Sequence, residues 1–177
     1  MRKFLMLALA PLFVLAFVAP VLAAGAAGPD VQSKFIQLVE DYKARYAAES
    51  NPLKKTSLSK ERLRKLMDVT PGGMVSGWTG VISGMDTTGA GKAYVSIAVP
   101  RSPVTFQTWN NDISDAGNNT LIPSSSPLYQ ALADMAKGMA VVFSGKLVKE
   151  ASMTESGGME EPEFIIRFTS IKPASAR

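Results

Sequence analysis

Three strand-like runs, one well-capped helix and two further strand-like runs follow one another after Pro71, and few small domains place a single helix between a third and a fourth strand. The first run covers residues 74–85. It is interrupted by Gly77, Gly80 and Gly84, which predicts a strongly bent or bulged strand able to serve two sides of a small barrel. The second, residues 92–99, alternates Val95, Ile97 and Val99 against Tyr94, Ser96 and Ala98. The third, residues 104–109, sets Val104, Phe106 and Thr108 on one face and Thr105, Gln107 and Trp109 on the other. A long polar loop over 110–125 leads to the helix. There Ser126 is the expected N-cap and Pro127 stands at N1. Leu128, Leu132 and Met135 form the apolar stripe, and Gly138 is the expected stop. The fourth and fifth strands are expected over 139–150 and 163–171, with Phe164, Ile166 and Phe168 facing one way in the last. The expected class is mainly β with helices (α+β), a five-stranded barrel.

Upstream, the chain changes character twice. Arg2 and Lys3 precede an uncharged apolar run over 4–22, and small residues follow from Ala23 to Ala27. This is the layout of a secretory signal peptide over residues 1–24. An uncleaved membrane anchor is the alternative; Pro11 and Pro20 count against a spanning helix. Residues 25–71 read as a helical N-terminal extension, and residues 72–173 as the barrel. Within the extension, Phe35, Leu38, Val39, Tyr42 and Tyr46 share one helical stripe. Asn51 and Pro52 break that helix, and a second, shorter one is expected over 60–69 with Ser59 as its cap.

The expected location is periplasmic or secreted. The compartment permits disulfides, but the chain has no cysteine, so packing alone must hold the barrel. It also has no histidine. Together these absences remove thiol nucleophiles, the common zinc sites and Ser-His-Asp catalysis. No metal and no cofactor is expected. An enzyme would depend on a carboxylate pair such as Asp112 with Asp115, and the expectation is that the protein is not an enzyme. With Arg2 and Lys3 gone, seventeen basic residues face fifteen acidic ones, too small an excess to imply a polyanion partner.

Short motifs fail when their surroundings are read. Ser57 and Lys60 match a Ser-x-x-Lys pair without its companion motifs. Gly89-Ala90-Gly91-Lys92 resembles part of a phosphate loop, yet Asp86 stands where the first glycine belongs and Ala93 where the magnesium hydroxyl belongs. Asp112, Ser114 and Gly117 echo a calcium loop whose closing glutamate is here Pro123. Asn118-Asn119-Thr120 is a glycosylation sequon with meaning only in a eukaryotic secretory pathway.

The strand order, the run Val75-Ser76-Gly77-Trp78-Thr79-Gly80-Val81-Ile82 and the run from Lys137 to Gly145 resemble the OB-fold. Within it, the second run looks like the anticodon-binding-like OB family, many of whose members are exported bacterial proteins. The long third loop and the helical extension depart from the usual pattern. The resemblance implies a Greek-key barrel that binds a ligand across strands two and three. Carried over, that face is Tyr94, Ser96, Gln107 and Trp109. The alternative is that Tyr94 and Trp109 pack beneath the N-terminal helix. Glu150, Glu155, Glu160, Glu161 and Glu163 would line the rim and repel a phosphate backbone, so nucleic acid is not the expected partner. The implied role is an exported binding module of the cell envelope, its ligand a protein surface, an oligosaccharide or a small molecule. The other reading is an envelope interaction protein. It would dock a partner or anionic membrane through Lys54, Lys55, Lys60, Arg62, Arg64 and Lys65.

Overall fold

The structure is a computed structural model and describes residues 27–148 and 155–174. The leader expected over 1–24 lies outside them. Among the described residues, no helix is long and apolar enough to cross a membrane.

The chain begins with α1 (Ala27–Ala48) and α2 (Pro52–Val69) and turns through Pro71–Gly73. The barrel follows as β1 (Met74–Thr87), β2 (Ala93–Ala98), β3 (Thr105–Gln107), α3 (Pro127–Ala133), β4 (Ala140–Leu147), α4 (Glu155–Glu160) and β5 (Glu163–Pro173). The five strands close in the order β1-β2-β3-β5-β4, and β4 returns to β1. Every pairing is antiparallel except β3 with β5.

Closure depends on β1 serving two neighbours. Its first half, from Met74 to Val81, pairs with β4, and its second half, from Val81 to Thr87, pairs with β2. The register slips between Val75 and Trp78 and again between Ile82 and Gly84. Gly77 takes φ +65° at the first slip, and its N–H is accepted by Ser144 Oγ at 3.0 Å. A side chain there would be strained, so glycine permits the bend.

Among the described residues, the first half of β1 has no strand on its other edge. The Gln32 amide of α1 fills part of that gap. Its Nε2 donates to the Thr79 carbonyl at 2.7 Å, and its Oε1 accepts from the Thr79 N–H at 2.9 Å. One side chain therefore satisfies both backbone groups of a residue at the open edge. Gln32→Ala is expected to lower stability by about 1–2 kcal/mol, read from the urea midpoint. An unchanged midpoint would show that water serves that edge equally well.

The core runs through both parts of the chain. Phe35, Val39 and Leu66 of the helices share one buried cluster with Trp78, Ile97, Phe106, Phe143 and Ile166 of the barrel. Phe35 approaches Trp78 at 5.1 Å and Phe164 at 5.0 Å, ring centre to ring centre. Trp78 continues to Phe106 at 5.3 Å, and Phe106 to Phe143 at 5.4 Å. The helix stripe of the sequence is thus the surface that covers one side of the barrel core. Its far end, Tyr42 and Tyr46, packs instead around Met159 of α4.

Several local expectations require correction. Asn51 does end the first helix, but it also starts the second: its Oδ1 accepts from Leu53 N at 2.9 Å, with Pro52 at the first position. The Asn-Pro pair is a cap as well as a breaker, so α2 begins eight residues before the expected point and Ser59 lies buried within it. Ser126 caps α3 through the Tyr129 N–H at 3.2 Å. Gly138 is not that helix's stop. The helix ends at Ala133 with Asp134 as C-cap, and Gly138, at φ +91°, donates instead to the Ile82 carbonyl at 2.8 Å. The third strand is only three residues long. The connection between the last two strands, read as loop, contains α4.

Candidate functional site

The alternation of β2 and β3 sends Val95, Ile97, Val104 and Phe106 into the core and leaves Tyr94, Ser96, Gln107 and Trp109 half-buried on the outer side. Ser96 is paired with Gln107 across the strands, and the Thr108 N–H extends that register to the Val95 carbonyl. Three polar side chains form a ladder across this face. Ser96 Oγ donates to Gln107 Oε1 at 3.0 Å, and Gln107 Nε2 donates to Glu163 Oε2 of β5 at 2.9 Å. The helix α1 directs its aromatic contacts elsewhere, through Phe35 to Trp78, Phe106 and Phe164.

Trp109 stands at the root of the loop that follows β3, and that loop is ordered by one carboxylate. Asp115 is buried. Its Oδ1 accepts from the Thr120 N–H and hydroxyl, both at 2.7 Å, and its Oδ2 from the Leu121 N–H at 3.1 Å. Thr120 Oγ1 in turn accepts from the Trp109 N–H at 2.9 Å. Arg167 of β5 donates to the Asn118 and Asn119 carbonyls, and Lys92 binds Asp112 at 2.7 Å. The Lys92 ammonium holds the Asp112 carboxyl below its ordinary range, and Asp112 raises the lysine in return. The loop is therefore clamped to the barrel at both ends, and at its crest Ile113 is 90% exposed. The Trp109 indole N–H is buried and has no acceptor among the described residues.

Asp112 and Asp115, the example of a carboxylate pair offered by the sequence, both accept from internal donors. Among the described residues, no group of three or more potential metal-binding side chains lies together. Glu160, Glu161 and Glu163 are exposed where the chain enters β5. Glu150 and the side chain of Glu155 lie outside the described residues.

Three of the basic residues of α2 have partners within the protein. Lys55 lies 4.6 Å over the Tyr46 ring, Lys65 pairs with Glu61 at 3.4 Å, and Arg62 donates to the Gly158 carbonyl of α4 at 2.6 Å. Burial draws the Arg62 pKa down. Lys54, Lys60 and Arg64 are exposed.

Sequence reasoning missed the roles of Asp115 and Arg167. Asp115 carried a signal, since an aspartate followed five residues later by threonine in an Asn-rich loop can fold the loop around its carboxylate. Arg167 gave none, because its partners are carbonyls distant in the chain. Comparison with family models, with curated proteins and with solved structures finds no match to this chain.

Proposed function

We propose that this chain is an exported, non-enzymatic binding module of the bacterial cell envelope, with a barrel of the OB type resembling the anticodon-binding-like family. The closing order 1-2-3-5-4, the parallel β3/β5 pair and the placing of α3 between β3 and β4 support a Greek-key OB topology. The basic n-region, apolar run and small residues of the leader support export.

The observation that carries the binding role is the outer face of β2 and β3. Two half-buried aromatic side chains, Tyr94 and Trp109, lie beside a hydrogen-bonded polar ladder and a clamped loop. Aromatic faces offer stacking or apolar contact area at little conformational cost, and the ladder offers directional partners. The ligand is a protein surface, an oligosaccharide or a small molecule. The glutamates leading into β5 support a ligand other than nucleic acid.

The test is capture by immobilised protein from envelope extract and from a panel of oligosaccharides. The Tyr94→Ala, Trp109→Ala double variant is expected to retain at least tenfold less of whatever the wild type holds, on the scale of two lost aromatic contacts. Both side chains are partly buried, so capture is compared under conditions where far-UV circular dichroism shows the double variant folded. A double variant that captures the same partners to the same extent would rule this face out.

A further inference from the structure

The outward face of α2 does not look like the solvent face of an ordinary surface helix. Residues 53, 57, 60, 64 and 67 follow one another at steps of four and three, so they form one stripe along the helix. They are Leu53, Ser57, Lys60, Arg64 and Met67, and all five are exposed. Leu53 is 79% exposed and Met67 43%, and neither belongs to either core cluster. Lys54 adds a third exposed cation beside Leu53. Of the two acids on α2, Glu61 is held by Lys65 and Arg45, which leaves Asp68 as the one carboxylate of the helix without an ion pair among the described residues.

The helix has thus sorted its cations. Those on the inner side serve α1 and α4: Lys55 over Tyr46, Lys65 over Tyr42, Arg62 on Gly158. Those on the outer side have no partner among the described residues and stand between two exposed apolar side chains. The two sets need different surroundings. Leu53 and Met67 gain by leaving water, whereas Lys54, Lys60 and Arg64 gain by meeting phosphate while staying hydrated. A bilayer with anionic headgroups supplies both at the right depths, because long cationic side chains reach up to phosphates while shorter aliphatic ones sink below them. A nucleic acid would satisfy the cations alone.

We infer that the Leu53–Lys60–Arg64–Met67 stripe of α2, with Lys54, seats this protein on an anionic lipid surface. The stripe shares no residue with the β2/β3 face, so the inference stands or falls independently of the ligand proposed there. Three cations at about 1 kcal/mol each make the attachment reversible and salt-sensitive. Seating on the bilayer would present the barrel to partners at the membrane while leaving the β2/β3 side chains unused.

The chain contains no cysteine, so a single introduced thiol can carry an environment-sensitive dye. The whole chain is labelled at Ser57→Cys, within the stripe, and separately at Ser124→Cys, an exposed loop position. Each is mixed with vesicles of phosphatidylcholine alone or with phosphatidylglycerol. The expected result is a blue shift at position 57 with the anionic vesicles only, reversed by high salt, and no shift at 124. Exchanging Lys54, Lys60 and Arg64 for glutamine should weaken partitioning on the order of a hundredfold. Leu53→Gln with Met67→Gln should weaken it at unchanged charge. No shift at 57, an equal shift with neutral vesicles, or a shift unaffected by either set of substitutions would overturn the inference. The leader cannot imitate the expected pattern, because its insertion would not depend on these five side chains. Binding of an acidic protein to the stripe in place of vesicles would also overturn it.

Discussion

Trp78→Ala is expected to lower the stability of the whole protein by about 4 kcal/mol, the range for removing a fully buried tryptophan. Trp78 is 1% exposed and lies where three elements meet, against Phe35 of α1, Phe106 of β3 and Phe143 of β4. No one neighbour can move into the space without leaving the other two. The cavity should therefore persist and add to the lost transfer energy. The urea midpoint should fall with an unchanged slope, since helices and barrel share this cluster and should unfold together. A loss below about 1 kcal/mol, or a second transition, would show that the helices and barrel do not depend on one core. Trp78→Phe should recover part of the loss. The alanine variant has a second use: only Trp109 then fluoresces as a tryptophan, because the chain holds two. Its emission reports the candidate site directly.

Asp115→Ala is expected to cost about 3 kcal/mol, because a buried acceptor of three hydrogen bonds disappears and its donors remain. Asp115→Asn should cost less, as an amide oxygen can still accept from Thr120 while its NH2 group opposes a donor. The effect should extend to binding. The Trp109 N–H is held by Thr120 Oγ1, and that hydroxyl is held by Asp115, so the carboxylate positions the tryptophan through one intermediate. Ligand capture should fall in the alanine variant under conditions where far-UV circular dichroism shows it folded. If stability drops while capture stays intact, Asp115 serves the loop alone and Trp109 is positioned by the strand.

These two residues mark what is legible in the sequence and what is not. The inward position of Trp78 is not legible, because the register slip at Gly77, between Val75 and Trp78, breaks the alternation on which such an assignment would rest. Unbroken alternation does make the inward sets of β2 and β3 readable, with Val95, Ile97 and Phe106 buried as the period of two requires. The length of α2 is not readable, because Asn51-Pro52 is compatible with ending one helix and with starting another. Gly138 misleads for a related reason. A glycine at positive φ suits a helix stop and a strand lead-in equally, and only the Ile82 carbonyl it meets decides between them. At the candidate site, the identity of the β2/β3 face follows from the period of two. The loop geometry depends on contacts such as Arg167 with Asn118 and Asn119, forty-nine and forty-eight residues apart, which no local pattern encodes. The division of the α2 cations into inner and outer sets likewise depends on α1 and α4, which no pattern within α2 places around them.

The two-sided pairing of β1 also sets a timetable. Its first half waits for β4, whose pairing residues come about sixty or more positions later in the chain, and β3 waits a similar distance for β5. Until the last strand arrives, both edges are open to any passing chain. Contacts this distant make folding slow compared with a helical bundle. During that interval the nascent barrel depends on dilution or chaperones to avoid pairing with its own copies. The Gln32 amide is the earliest protection, since it is made before β1 itself and can occupy Thr79 as soon as that residue appears.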